Sequence, residues 1–351
     1  MRPAALALAL LVPLSARADD GAASIAAGGL ILMKREPRIT MAKEVLRIGP
    51  GKVVVDYDFR NDSDQDITTL VAFPVPTYKF GDDQNSFGDP AFSDFQLSLE
   101  NKPARFSIEA RAFVGRREIT AVLRQEHIDI ASFGHWDKKE HDYSVSGADY
   151  QRASAAAQQK LIRIGAYDKD REPNWSVQKK YYWMQTFPAH ATIHIQHQYS
   201  PALGGSNSMS YGLLGEEEKP RKSQRSSDEQ YTIEEVTGLC LDSPLKARML
   251  KMAHEGQMVP FNYVDFILTT ANTWKTPIED FTLIVDRPSP SKEDLNHSSA
   301  PPSKRELVSF CWAGLVEKTD EDHFTAHVTD FVPTKELRIG FLHPGDAYKD
   351  N

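Results

Sequence analysis

The chain has 351 residues, 40% of them apolar or aromatic, with 41 basic and 49 acidic side chains and a formal net charge of −8. That composition supplies a real core and excludes disorder as the default state. Its acidic balance argues against non-specific binding to nucleic acid or anionic lipid, which needs a positive field.

The first element is not part of the fold. Met1-Arg-Pro leads into an apolar run from Ala4 to Leu14, closed by Ser15-Ala-Arg-Ala18. A cationic start, an apolar run too short for a bilayer and small residues at Ala16 and Ala18 make the pattern of a secretory signal peptide over 1–18, cut before Asp19. Loss of Arg2 and Arg17 with it lowers the basic count from 41 to 39 and moves the formal charge from −8 to −10. No Cys follows the run, so lipid attachment there is not expected. Nor is any later stretch long and apolar enough to be a transmembrane segment. The expectation is an exported, soluble protein.

The dominant period of the rest is two. Val53, Val55, Tyr57 and Phe59 share one parity, and Lys52, Asp56, Asp58 and Arg60 the other, which predicts a strand with one buried face. A polar turn over 61–66 leads to a second strand, Ile67 to Phe73, stopped by Pro74-Val-Pro76. Residues 149–164, rich in Ala and Gln, predict a helix that ends before Gly165. Trp175, Val177, Tyr181, Trp183 and Phe187 alternate up to Pro188, and Ile193, Ile195 and Tyr199 alternate with Thr192, His194, Gln196 and Gln198. Gly215–Gln230 is a charged loop and a plausible module boundary. A second helix starts with Ser243 as cap and Pro244 in the first turn, with Leu245, Met249 and Met252 on a core-facing stripe, and stops at Gly256. Further strands are predicted at Phe281 to Val285, Leu307 to Leu315, Phe324 to Val328 and Leu337 to Leu342; Arg287–Arg305, with four prolines and five serines, is a polar loop. The fold class is therefore mainly β: two antiparallel β-sandwich-like modules, 19–230 and 231–351, with two short helices.

Cys240 and Cys311 are the two cysteines. In an oxidising compartment one bridge is expected, with two buried thiols or a reactive thiol as the rival readings. His190, His194 and His197 are the densest histidine cluster, yet strand parity puts His197 on the face opposite the other two, so no metal site is expected and His197 reads as a core histidine. Asp62, Asp64 and Asp66 start like a calcium loop, but Ile67 replaces the turn glycine and Phe73 the closing Glu. Asp142-Tyr-Ser144-Val-Ser146 lacks the apolar strand that a metal-dependent adhesion motif requires, and Ser208-Met-Ser210-Tyr-Gly212 lacks the first Gly of a nucleophile elbow. His135-Trp136-Asp137 stands apart, in a loop where His135 and Trp136 could form a recognition surface. The rival is Trp136 as a plug at the core edge.

Nearly the whole chain after the leader resembles a bacterial exported family catalogued as domain of unknown function 4424. The carriers include Tyr57-Asp-Phe-Arg-Asn61, Leu70-Val-Ala-Phe-Pro-Val-Pro76, Tyr182-Trp-Met-Gln-Thr-Phe-Pro-Ala189, His197-Gln-Tyr-Ser-Pro201, Cys240-Leu-Asp242, Leu268-Thr-Thr-Ala-Asn-Thr-Trp-Lys275 and Leu307-Val-Ser-Phe-Cys311. The resemblance implies a periplasmic β protein and supplies no catalytic residues. Asn61-x-Ser63 leading to Phe73-Pro-x-Pro76 is also similar to the β-sandwich domain of vault and inter-alpha-trypsin proteins, at the level of fold alone. Together these readings predict a non-enzymatic periplasmic interaction or envelope-associated binding module that needs no cofactor, with a periplasmic or envelope protein as its possible partner. The alternative is an envelope-acting hydrolase whose site is built from loop residues such as His135, Asp137 and His141.

Overall fold

Side chains that alternate in the sequence divide here between a dry interior and a wet face. The computed structural model describes residues 20–25, 31–79, 92–133, 135–137, 142–144, 147–206, 238–255, 261–287 and 306–342. The expected leader, the expected boundary at 230/231, the Ser208–Gly212 stretch and the loops at 215–230 and 288–305 lie outside the described residues. In chain order the strands are β1 (Gly21–Ile25), β2 (Ile31–Met33), β3 (Ile39–Ile48), β4 (Val53–Asn61), β5 (Ile67–Pro74), β6 (Tyr78–Lys79), β7 (Ser93–Leu99), β8 (Lys102–Pro103), β9 (Ser107–Val114), β10 (Arg117–Glu118), β11 (His135–Asp137), β12 (Asp142–Ser144), β13 (Ser176–Phe187), β14 (Ala191–Ser200), β15 (Gly204–Ser206), β16 (Phe261–Phe266), β17 (Ile278–Asp286), β18 (Leu307–Phe310), β19 (Glu317–Lys318), β20 (His323–Phe331) and β21 (Leu337–Leu342).

Among the described residues these strands form four sheets, and the protein is mainly β. An eight-stranded sheet runs β19-β20-β17-β3-β4-β14-β7-β8. A seven-stranded sheet runs β10-β9-β13-β5-β1-β2, with β6 also on β13, and a four-stranded sheet runs β15-β16-β21-β18. β11 and β12 make a two-stranded sheet of their own. The eight-stranded sheet takes β3, β4, β14, β7 and β8 from before the expected boundary and β17, β19 and β20 from after it. The two sets meet in a parallel pair, with Leu46 of β3 opposite Leu283 of β17.

One cluster of buried side chains joins the three larger sheets. It includes Tyr57, Phe59, Ile195, Phe281 and Leu283 from the eight-stranded sheet, Val71, Phe73, Tyr181, Trp183 and Phe187 from the seven-stranded sheet, and Val264, Phe266, Ile339 and Phe341 from the four-stranded sheet. Aromatic rings bridge the layers: Phe59 and Trp274 are 4.7 Å apart between centroids, and Phe95 and Tyr181 4.2 Å. Each such ring contributes roughly 1.5–3 kcal/mol by burial alone. A second core forms where the strand β13 parity continues toward Trp175 and Val177. There Ile119, Leu123, Phe133, Leu161 and Tyr167 pack on the end of the seven-stranded sheet.

The helices depart from the sequence reading in detail. The predicted helix at 149–164 is two helices, Gly147–Arg152 and Ala155–Arg163, because Ser154 takes an extended conformation and caps the second through the amide of Ala157. The helix Ser243–His254 is present, but its cap is Asp242 rather than Ser243: Asp242 Oδ1 accepts the amide of Leu245 at 2.7 Å, and its carbonyl accepts that of Lys246. The predicted stripe holds, with Leu245, Met249 and Met252 packed on Phe261, Tyr263 and Leu342. A short helix at Thr120–Gln125 was not foreseen, since six residues are too few to show a helical period. The strand predicted at Leu307–Leu315 stops at Phe310, where Cys311 leaves the ladder to form a disulfide, and Leu315 is 75% exposed.

Candidate functional site

The sequence singled out His135 and Trp136, and the backbone places them on a hairpin rather than an irregular loop. In the register of β11 with β12, His135 is opposite Ser144, Trp136 opposite Tyr143 and Asp137 opposite Asp142. The side chains of 134–148 and all of His141 lie outside the described residues. The root of the hairpin is well built. Phe133 is fully buried and stacks on Trp175 at 3.9 Å between centroids. Its carbonyl accepts the Tyr78 hydroxyl at 3.0 Å. Asp129 turns the preceding chain by accepting the amide of Ala131 and the hydroxyl of Ser132, and its own amide donates to Asp149. Lys179, also buried, lies on the same side of β13 as Trp175 and places its ammonium 5.2 Å from the Tyr78 ring centroid. The alternation of Trp175, Val177 and Tyr181 gives Lys179 inward parity, but its charge argues against burial there.

The three histidines around β14 do not converge. His190, at a positive φ of 54° in the turn, lies 2.9 Å from Asp64, both exposed. His194 stands on the outer face of the eight-stranded sheet, its Nδ1 2.9 Å from Asp58 and its Nε2 3.4 Å from Asp56. His197 is on the inner face and completely buried, as parity requires. Its Nε2 is 3.3 Å from Asp20 Oδ1, and Phe73, Tyr57 and Phe95 surround the imidazole. Nothing in the sequence marks Asp20 as a buried residue. Only the fold shows it inside.

The acidic turn at 61–66 is consumed by its own neighbours. Asp62 accepts from Arg60 and Lys275, and Asp66 accepts the amide of Ala189 at 2.9 Å. Buried Asn61 donates to the carbonyls of Gln65 and Phe187, both at 2.9 Å, and accepts from the amide and hydroxyl of Ser63. These contacts make it a hairpin turn stitched to the β13–β14 turn.

The outer face of the eight-stranded sheet is polar and cross-linked from strand to strand. Gln198 donates to Gln96, Gln196 to Asp56, and Arg47 to Asp286; His327 lies 2.8 Å from Asp280 and His323 3.5 Å from Asp286, while His323 also lies 2.8 Å from Asp320 in the turn before its own strand. Arg60 grips Glu279 with two parallel bonds of 2.7 and 2.8 Å, which ties β4 to β17 and holds the Glu279 carboxyl below its usual range. The His323 hydrogen bond does the same for Asp320. Among the described residues no three His, Cys, Asp or Glu side chains come together as a metal site, and no helix is long and apolar enough to cross a membrane.

Cys240 and Cys311 are joined in a disulfide with Cα atoms 5.1 Å apart. It fastens the turn before the helix Ser243–His254 to the end of β18, where Ser309 also donates to the Leu239 carbonyl at 2.9 Å.

The family model described as "Domain of unknown function (DUF4424)" matches residues 18–339. The chain belongs to the DUF4424 family. No curated protein matches this DUF4424 chain. Among solved structures it is similar to a Legionella pneumophila protein provisionally described as nutrient binding, at 15% identity and a TM-score of 0.36, over 92% of this chain and 72% of that one.

Proposed function

We propose that this DUF4424 chain is exported and works in the bacterial envelope as a binding module, with the β11–β12 hairpin as its recognition element. The observation behind the proposal is the separateness of that hairpin: it pairs with no other sheet among the described residues, while its root at Phe133 is locked between Trp175 and Tyr78. A two-stranded ribbon alone is marginal in water, so a partner surface can complete it. A rigid base carrying a small separate element is the usual layout of a binding loop. The register sets Trp136 opposite Tyr143, so one row of the ribbon carries two aromatic residues, the residue type that dominates recognition surfaces.

A second reading rests on the neighbouring rows. His135 is opposite Ser144, and Asp137, two residues on, is opposite Asp142. These four positions share the other face of the ribbon and supply the residue types of acyl transfer, as an envelope hydrolase would need.

One set of variants separates the two. Trp136→Ala is expected to abolish retention of a periplasmic partner or a glycan-array signal that the wild type retains, with an unchanged melting temperature. His135→Ala and Ser144→Ala are expected to leave that retention intact and to change no labelling by serine-directed probes. Turnover of a test substrate that disappears in Ser144→Ala, together with no retained partner, would replace the binding reading with the hydrolase.

A further inference from the structure

The inner face of the eight-stranded sheet carries a histidine, and the N-terminal strand brings a carboxylate to it. Asp20 and His197 are both completely buried. His197 Nε2 is 3.3 Å from Asp20 Oδ1, yet neither carboxylate oxygen and neither ring nitrogen has a well-formed hydrogen bond. Phe73, Tyr57 and Phe95 stand around the imidazole with ring centroids 4.4, 5.3 and 5.5 Å away. A lone charge in such surroundings is strongly disfavoured. The stable arrangement therefore has one proton between the two groups. Acid with imidazole, or carboxylate with imidazolium, is neutral overall.

Among the described residues, the titratable groups around this pair include no cation to offset a negative charge on it. They are Tyr57 from β4, Tyr199 from β14 and Tyr181 from β13, with Glu44 of β3 opposite Tyr57. Burial pushes the Tyr181 phenol up, and none of the four is a cation.

The strand that delivers Asp20 has little else to hold it. Gly21, Ala22, Ala23 and Ser24 are all small, and β1 meets β5 through three residue pairs. It also meets β2 through three residue pairs and buries the small side chains of Ala22 and Ala23. Polar contacts add to these: Trp274 Nε1 donates to the Asp20 carbonyl at 2.7 Å, the Ala22 amide to Thr273 Oγ1 at 3.1 Å, and the Asp20 amide to the Tyr57 hydroxyl at 3.4 Å. With so little apolar area to bury, the charge state of Asp20 weighs heavily in whether the strand stays seated.

We propose that Asp20 and His197 form a proton-controlled latch for the N-terminal strand. With one shared proton the strand is docked between β5 and β2. A second proton leaves a buried positive charge, and loss of the first leaves a buried negative one. Either charge is relieved when the strand lifts and lets water reach the pair, which frees the edge of β5, a row of backbone groups ready to pair with another strand.

Hydrogen exchange of the whole protein, read by mass spectrometry from about pH 4 to pH 9 and corrected for intrinsic rates, tests this. In the wild type, protection of the segment 20–25 is expected to peak in mid-range and fall at least tenfold toward both ends, while 261–266 in the four-stranded sheet keeps its protection. Asp20→Asn, whose amide neither gains nor loses a proton there, is expected to abolish the fall of 20–25 toward alkaline pH and to keep the fall toward acid, where His197 can still take a proton. Glu44→Gln is expected to leave it as in the wild type. A flat wild-type profile, loss of protection in 20–25 and 261–266 together, or a flat profile in Glu44→Gln would overturn the latch. Should Asp20→Asn not fold, the wild-type and Glu44→Gln profiles still decide.

Discussion

At the scale of single residues, the side chains that organise this protein are polar groups placed where apolar ones are the rule. Asn61 is the clearest. All of its hydrogen-bonding capacity is used to hold the 61–66 turn to the chain at Phe187. Asn61→Ala would strand the Phe187 carbonyl and the Ser63 amide and leave the Gln65 carbonyl with the Ser63 hydroxyl alone, and is expected to cost about 2–4 kcal/mol. Urea denaturation should show this as a lower midpoint at unchanged slope; a loss within experimental error would mean that water replaces every bond. Parity in the sequence identified the inward face of His197, because a strand alternates whatever it packs against. It gave no warning of Asp20, whose neighbours are small and carry no period, nor of Lys179, whose parity says inward while its charge says outward. Burial of such groups depends on partners far away in the chain: Asp20 and His197 are 177 positions apart by their numbers.

At the scale of elements, local signals found the segments and long-range contacts set their ends. The helix Ser243–His254 was legible from its stripe, yet its cap went to Asp242, whose carboxylate reaches the Leu245 amide. The predicted helix at 149–164 broke at Ser154 because that hydroxyl serves better as a cap than inside a helix. Strand β18 ended early because Cys311 turns away toward Cys240. That bridge closes a sequence separation of 71, for which the chain-entropy model gives about 4 kcal/mol. A Cys240→Ala, Cys311→Ala double variant is expected to lose most of this in denaturant melts, and reduction of the native protein should raise its mass by two hydrogens. Equal stability of the double variant would show that the packing of Leu239, Met249 and Phe261 alone fixes this corner.

At the scale of the whole molecule, the parallel pairing of β3 with β17 makes the two halves share one sheet, and Arg60 bound to Glu279 reinforces the join. The core cluster crosses the same line, with Phe59 on Trp274 and Phe73 6.3 Å from Phe266. Calorimetry is therefore expected to show one cooperative transition. Two resolved transitions would mean that residues before and after the expected boundary unfold as separate modules. The sequence by itself determined the strand faces, the β-rich class, the helix stripe and the parity of His197, since each depends on neighbours a few residues apart. Only the tertiary structure decided that β3 joins β17, that His135 and Trp136 stand on a separate ribbon, and that Asp20 meets His197. Those outcomes are set by contacts among groups tens to hundreds of residues apart, whose free energy belongs to the assembled sheets and leaves no local period to read.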